Sequence, residues 1–328
     1  MSTTADARVR FSQDRLDQLR RAFADLPGLK DFPELTIFSA GSYGRLEASQ
    51  HSDIDMFFLV SGDKSALANP RTRELNIFGK IIDIVEGLGF PQFSNDCEYL
   101  VFLHSNEILK HLGGPTDDQM NYFTARMLLL LESSCLYGHN TYDSIIREII
   151  DSYFKDFPDH PSNFQATFLL NDICRYWKTL LLNYENKRNL RTGDEIRKIK
   201  QKVRNFKLKY SRMTTCFATI AALGSLPAPV SQEQVISLTR LTPRQRLEGI
   251  PSRVPAASNA VGYLLEKYSA FLELTGLPTS ELEAHFKDKA QRRQMFTQAN
   301  EYGDAMFELL RIIDETDSEL RLLRQLVV

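Results

Sequence analysis

Cysteine, long apolar runs and charge bias are all scarce in this 328-residue chain, and each scarcity removes a class of protein. The four cysteines, Cys97, Cys135, Cys174 and Cys216, stand 38 to 42 residues apart, with no C-x-x-C pair and no Cys/His cluster at zinc spacing. That spacing argues against a disulfide scaffold and a cysteine-ligated zinc site. Three of them sit in apolar or helical surroundings (LLESSCLYG, NDICRYW, TTCFATIAAL) and read as reduced core thiols. The longest strongly apolar runs, 56–60 and 127–131, fall far short of the ~20 residues that a membrane-spanning helix needs. The opening segment MSTTADARVRFSQDRL carries no apolar stretch fit for a signal peptide, so the expected compartment is cytoplasmic, without a membrane partner. Lys and Arg number 40 against 42 Asp and Glu, a net charge of −2, which by itself points to no polyanion. Walker A, G-x-G-x-x-G, H-E-x-x-H and G-x-S-x-G motifs do not occur, nor does any internal repeat.

What is present is the balance of a globular protein, 43% hydrophobic and 25% charged, long enough for one large domain or two modest ones. Residues 11–26 place Leu16, Leu19, Phe23 and Leu26 at steps of three and four, the period of an amphipathic helix, which Pro27-Gly28 ends. Strand-like runs follow at 35–40 (LTIFSA) and 53–60 (DIDMFFLV), then a loop over 61–73. A second helical period covers 74–88, and EYLVFLH at 98–104 reads as a third strand. Beyond 105 the pattern is helical, over 106–112, 118–136, 141–156, 164–187, 194–224, 232–239, 256–275 and 279–325. The expectation is an α+β protein: a small mixed-sheet domain over 1–135, then an all-helical domain over 136–328 that closes a cleft.

The chemistry concentrates in FSAGSYGRLEASQHSDIDMFFLV, residues 38–60. Asp53 and Asp55, two apart at the start of a strand, share one face, while Ile54, Met56 and Phe58 share the other. Two adjacent carboxylates repel unless a cation joins them, and hard oxygen ligands suit Mg²⁺ or Mn²⁺. The Gly41-Ser42 turn is the complementary half: glycine lets backbone approach a phosphate, and the serine hydroxyl adds a donor.

G-S, ten residues, then D-h-D on a strand resembles the signature of the DNA polymerase β nucleotidyltransferase superfamily. The fuller form, G-S-Y-G-R-x-E…S-D-I-D, is similar to bacterial members such as the PII-protein uridylyltransferases and related uncharacterised nucleotidyltransferases. The resemblance implies a two-metal in-line displacement on an NTP, with Asp53 and Asp55 bridging the metals and Gly41 and Ser42 holding the β/γ-phosphates. It also implies a third carboxylate. Glu98 is the first choice because it heads the remaining strand candidate; Asp96 shares its face, and Asp83 qualifies only if 81–86 is a strand. Arg45 either neutralises phosphate or pairs with a nearby acid such as Glu47 to order the turn. Helical units in the superfamily lend a Lys and a Ser to the triphosphate, which points to Lys207 or Lys209 with Ser211.

Two further features belong to the helical part. Asn171, Arg175 and Lys178 form one polar stripe, read either as a solvated face or as a contact to nucleotide or acceptor. Residues 187–212 carry eleven Lys/Arg against Asp194 and Glu195, a local +9 that leaves −11 for the remainder of a −2 chain. Such a run is a solvated helix face or an attractor for triphosphate or RNA backbone. The reading is therefore an Mg²⁺-dependent nucleotidyltransferase that moves NMP from an NTP to a hydroxyl on a protein or RNA. Its alternatives are a synthase of nucleotide second messengers, as in antiviral systems, and a non-catalytic nucleotide-binding regulatory module.

Overall fold

The computed structural model describes residues 4–62, 70–91, 93, 97, 100–189, 195–316 and 321–326. The chain divides into two compact units, Met1–Ser152 and Tyr153–Val328. The division falls after Ser152 and not at 135, because the chain on either side of residue 138 still belongs to the first sheet and its cover.

The first unit runs α1 (Thr4–Ala24), β1 (Leu35–Ala40), α2 (Gly41–Gly44), β2 (Asp55–Val60), α3 (Pro70–Gly87), β3 (Phe102–His104), α4 (Ser105–Lys110), α5 (Pro115–Gln119), α6 (Tyr122–Leu131), β4 (Ser134–Tyr137) and α7 (His139–Ser152). The sheet order is β3-β2-β1-β4. β1 pairs antiparallel with both β2 and β4, whereas β3 runs parallel to β2, so the sheet is mixed as expected. The period-2 alternation sorts the two faces. Leu35, Ile37, Met56, Phe58 and Phe102 join a core with Leu16, Leu19 and Phe23 of α1 and Ile77, Phe78 and Ile81 of α3. On the other face Phe38 stacks on Phe57 at 5.5 Å and meets Tyr142 of α7 at 6.2 Å. Arg126, the one charge in the apolar run of α6, is fully buried in a two-pronged pair with Asp117 of α5 at 2.8 and 2.9 Å.

Four local expectations change. β4 lies where helical spacing continued through 136: α6 stops at Leu131 without any Gly or Pro to mark the end, and sheet pairing with β1 overrides the helical period. β2 starts at Asp55, so Asp53 precedes the strand. β3 is confined to Phe102–His104. The Gly41-Ser42 turn is itself one turn of helix, α2.

The second unit contains α8 (Thr167–Asn189), α9 (Glu195–Lys207), a π-helical turn (Leu208–Arg212), α10 (Met213–Gly224), α11 (Gln232–Thr239), α12 (Pro243–Glu248), α13 (Ser258–Thr275), α14 (Thr279–Lys287), α15 (Lys289–Thr316) and α16 (Leu322–Gln325). Its described residues hold no strand. Aromatic rings pin the middle: Tyr210 stacks on Phe271 at 4.8 Å and tilts against Tyr302 at 4.6 Å, and Phe206 meets Phe286 at 5.5 Å. Arg246 is buried and donates from α12 to the closing carbonyls of α11, Leu238 O at 2.9 Å and Thr239 O at 3.4 Å, and to Thr219 Oγ1 at 2.7 Å. All four cysteines are free. Burial pushes the Cys135 thiol up to about 11, which keeps it protonated and inert at neutral pH. No helix among the described residues is long and apolar enough to cross a membrane.

Candidate active site

The site is built where β1 ends. Ala40 pairs across the sheet with Asp55, the first residue of β2, so the exit of one strand and the entrance of the next share an end of the sheet. Gly41 then turns into the left-handed region at φ +66°, and a Cβ there would stand 3.1 Å from Asp55 Oδ2. Only glycine gives both that dihedral and that closeness of backbone to carboxylate. The chain coils once through α2 and closes with two bonds, Glu47 N–H to Ser42 O at 2.8 Å and Leu46 N–H to Tyr43 O at 3.1 Å. This is a Schellman closure, and it forces Leu46 to φ +59°, a position that glycine usually takes. Leu46 occupies it while packing on the core of the first unit.

A buried ion-pair cluster holds this turn. Arg45 is 7% exposed; its Nε donates to Glu47 Oε2 at 2.7 Å and its Nη1 to Glu132 Oε2 at 2.5 Å. Gly44 closes against the same residue: a Cβ would lie 1.9 Å from the Glu132 carbonyl oxygen. Of the two readings for Arg45, the structure selects the ordering pair. Its guanidinium is turned inward and shared by two carboxylates, so it is withdrawn from the nucleotide-binding set. Glu132 carries no sequence signal for this role, since it is an acid at the end of an apolar helix 87 positions away.

Helix α1 supplies the other wall. Arg8 Nη1 donates to Glu47 O at 3.0 Å, Ser12 Oγ accepts the Ala48 N–H at 3.0 Å, and the Arg15 guanidinium lies 3.8 Å over the Phe90 ring. These three recur at steps of four and three, a polar stripe beside the apolar one that is visible in the helical spacing of the sequence. Tyr43 is buried between them, 5.5 Å from Phe90. Burial raises its phenol, a hydrogen bond and the charge of Arg15 oppose that, and Asp53 adds to it. Burial likewise lowers the Arg8 guanidinium, with Glu47 opposing.

Asp53 is exposed and Asp55 half-buried, while Ile54 between them is fully buried. The buried Ile54 fixes the segment at the mouth of the strand, with the Asp55 carboxylate beside Gly41, which the half-buried Ser42 follows, and with Asp53 exposed just ahead of it. Two carboxylates offer hard oxygen donors of the kind Mg²⁺ or Mn²⁺ takes, and the Gly41 backbone leaves open the space a side chain would fill. The donor set fits that cation as part of its shell. Among the described residues no group of three or more His, Cys, Asp or Glu side chains is arranged around a metal site. Glu98 and Asp96 lie outside the described residues. Asp83 is exposed on α3, on no strand. His51 and Ser52 belong to a tight exposed turn closed by Ser52 N–H to Ser49 O at 2.9 Å.

The residues assigned to the triphosphate in the helical part are placed differently. Ser211, 7% exposed in the π-helical turn, donates back to Lys207 O at 2.9 Å. That bond occupies the hydroxyl proton of Ser211 within its own preceding turn. Lys209 Nζ donates to Asn300 Oδ1 at 2.9 Å, and Lys207 is exposed on α9. Asn171 donates to Thr167 O at 3.1 Å and to Gln325 O at 3.3 Å, so its part of the polar stripe receives α16. No family model matches the chain, and no curated protein or solved structure does.

Proposed function

We propose that the chain is an Mg²⁺-dependent nucleotidyltransferase that transfers NMP from an NTP to an acceptor hydroxyl on a protein or RNA. The observation that carries this reading is the meeting of its two motif halves: the left-handed Gly41 stands against Asp55 Oδ2, at the point where β1 and β2 exchange Ala40 for Asp55. Asp53 and Asp55 hold the cation. The cation supplies neutralisation of the triphosphate and acidification of the acceptor hydroxyl. The Gly41 backbone, bare of a side chain, admits a phosphate, and Ser42 supplies a hydroxyl donor. Arg45, Glu47 and Glu132 keep that turn in shape, and Arg8, Ser12 and Arg15 brace it from α1. The acceptor hydroxyl gives its proton to water as its oxygen bonds to the α-phosphorus, the bond to the bridging oxygen of the β-phosphate breaks, and pyrophosphate leaves with the displaced electron pair.

The test is incubation of the protein with each labelled NTP, Mg²⁺ and a cell lysate, followed by mass detection of NMP on separated protein and RNA fractions. The Asp53→Ala/Asp55→Ala double variant serves as control. NMP on one fraction with the wild type and none with the variant supports the reading and names the acceptor. Oligonucleotide or cyclic products from NTP alone move it to signal synthesis. Identical behaviour of the two preparations across all four NTPs rejects catalysis.

A further inference from the structure

The basic stretch that the net charge conceals is a surface. On α9, Arg197, Lys200, Arg204 and Lys207 recur at steps of three, four and three, and all four are exposed, while Ile199 and Phe206 face inward. At ~1.5 Å of rise per residue the row runs about 15 Å along one straight face. Glu195 is the only acid in the helix, and it pairs with Lys198 at 2.8 Å. Like charges four apart weaken a helix, and α9 holds two such pairs, Lys198–Lys202 and Lys200–Arg204. The inward side of α9, where Phe206 meets Phe296 at 6.4 Å, faces α15, a helix over 80 residues later in the chain. Burial and the charge of Arg292 press the Lys202 ammonium below its ordinary range, Lys198 adding to this and Glu195 opposing.

We infer that the exposed face of α9 is a docking surface for the phosphate backbone of single-stranded RNA, which would make RNA the acceptor class of the nucleotidyl transfer proposed above. The inference rests on that reading for the choice of RNA among polyanions. A straight row of four cations suits a chain of evenly repeated phosphates. The aromatic residues of this segment, Phe206 and Tyr210, are buried in the core, so no ring of α9 offers a platform for bases. Contact is therefore with the backbone, tolerant of sequence and steeply dependent on salt.

The experiment is fluorescence anisotropy of a labelled 20-nucleotide RNA with the full chain, without NTP or divalent metal, over a range of salt. Four phosphate contacts give a slope of log Kobs against log salt of about −2.8 on single strands. The variant Arg197→Gln/Lys200→Gln/Arg204→Gln should flatten that slope by about 2. Lys30→Gln/Lys110→Gln/Lys155→Gln, three exposed cations elsewhere, should leave it in place. DNA of the same sequence binding comparably supports contact through phosphate. Absence of RNA binding at low salt, an equal loss in both triple variants, binding of DNA without RNA, or equal binding of polyglutamate overturns the inference. Running the labelled-NTP transfer assay on the wild type and on Arg197→Gln/Lys200→Gln/Arg204→Gln in parallel separates the two readings: wild-type RNA binding without transfer tells against the catalytic assignment alone, and transfer to RNA without RNA binding tells against the docking surface alone.

Discussion

Gly41 and Gly44 stand three residues apart in one short turn and do different work. At Gly41 the neighbour of an added Cβ is the end of a side chain, Asp55 Oδ2 at 3.1 Å, and the dihedral is left-handed. Gly41→Ala should therefore cost about 1–2 kcal/mol of stability while shifting the Asp55 carboxylate, so NTP-dependent activity falls far more than the unfolding midpoint. At Gly44 the neighbour is backbone, the Glu132 carbonyl oxygen at 1.9 Å, which has nowhere to go. Gly44→Ala should cost about 3 kcal/mol or more, read as an early urea transition by circular dichroism. Equal stability losses in the two variants would contradict this division of labour. Both glycines stand out in the one-letter sequence, but which one guards the site and which one lets two segments touch depends on Glu132. Likewise, the sequence left Arg45 with two roles, and the inward turn of its guanidinium toward Glu47 and Glu132 decided between them.

Among elements, the helices follow their apolar period closely, and the exceptions share a cause. α1, α8 and α13 lie where i, i+3, i+4 spacing places them, because that spacing is a local property of the chain. β4 is invisible by the same criterion: four residues in Ser134–Tyr137 become a strand only because β1 offers them a free edge. The single predicted helix over 279–325 is broken at Asp288, the C-cap of α14 in an extended conformation, and again at Arg321, which takes the left-handed region at φ +36°. α11 shows how one side chain can complete an element. Arg246 reaches its last two carbonyls from α12 and is 1% exposed. Arg246→Met keeps the volume and removes those donors, and should destabilise the second unit by about 3 kcal/mol. The chain has one tryptophan, Trp177, set edge-on against Phe217 at 5.6 Å in that unit. Its fluorescence reads the loss directly, and an unchanged midpoint would count against a capping role.

For the whole molecule, the division after Ser152 has a physical consequence. A chain ending at Ser152 keeps all four strands and α7, whose Ile145, Ile146, Ile149 and Ile150 are buried. It should fold on its own and unfold in a single urea transition. A chain ending at Cys135 cuts β4 in half and removes α7, uncovering Phe38 and Phe57, and should show no cooperative transition. Folding of the shorter chain would restore the earlier boundary. By itself the sequence determined the α+β class, the sites of most helices and the two strand runs that flank the Gly41-Ser42 turn, because each rests on composition, period or a few consecutive residues. Tertiary structure alone decided the fourth strand, the boundary, the duty of Arg45, the burial of Ser211 and the brace from α1. Each of those depends on a partner tens of residues away, such as Glu132 for Arg45 or Glu47 for Arg8, and no local spacing records which distant groups share a buried site.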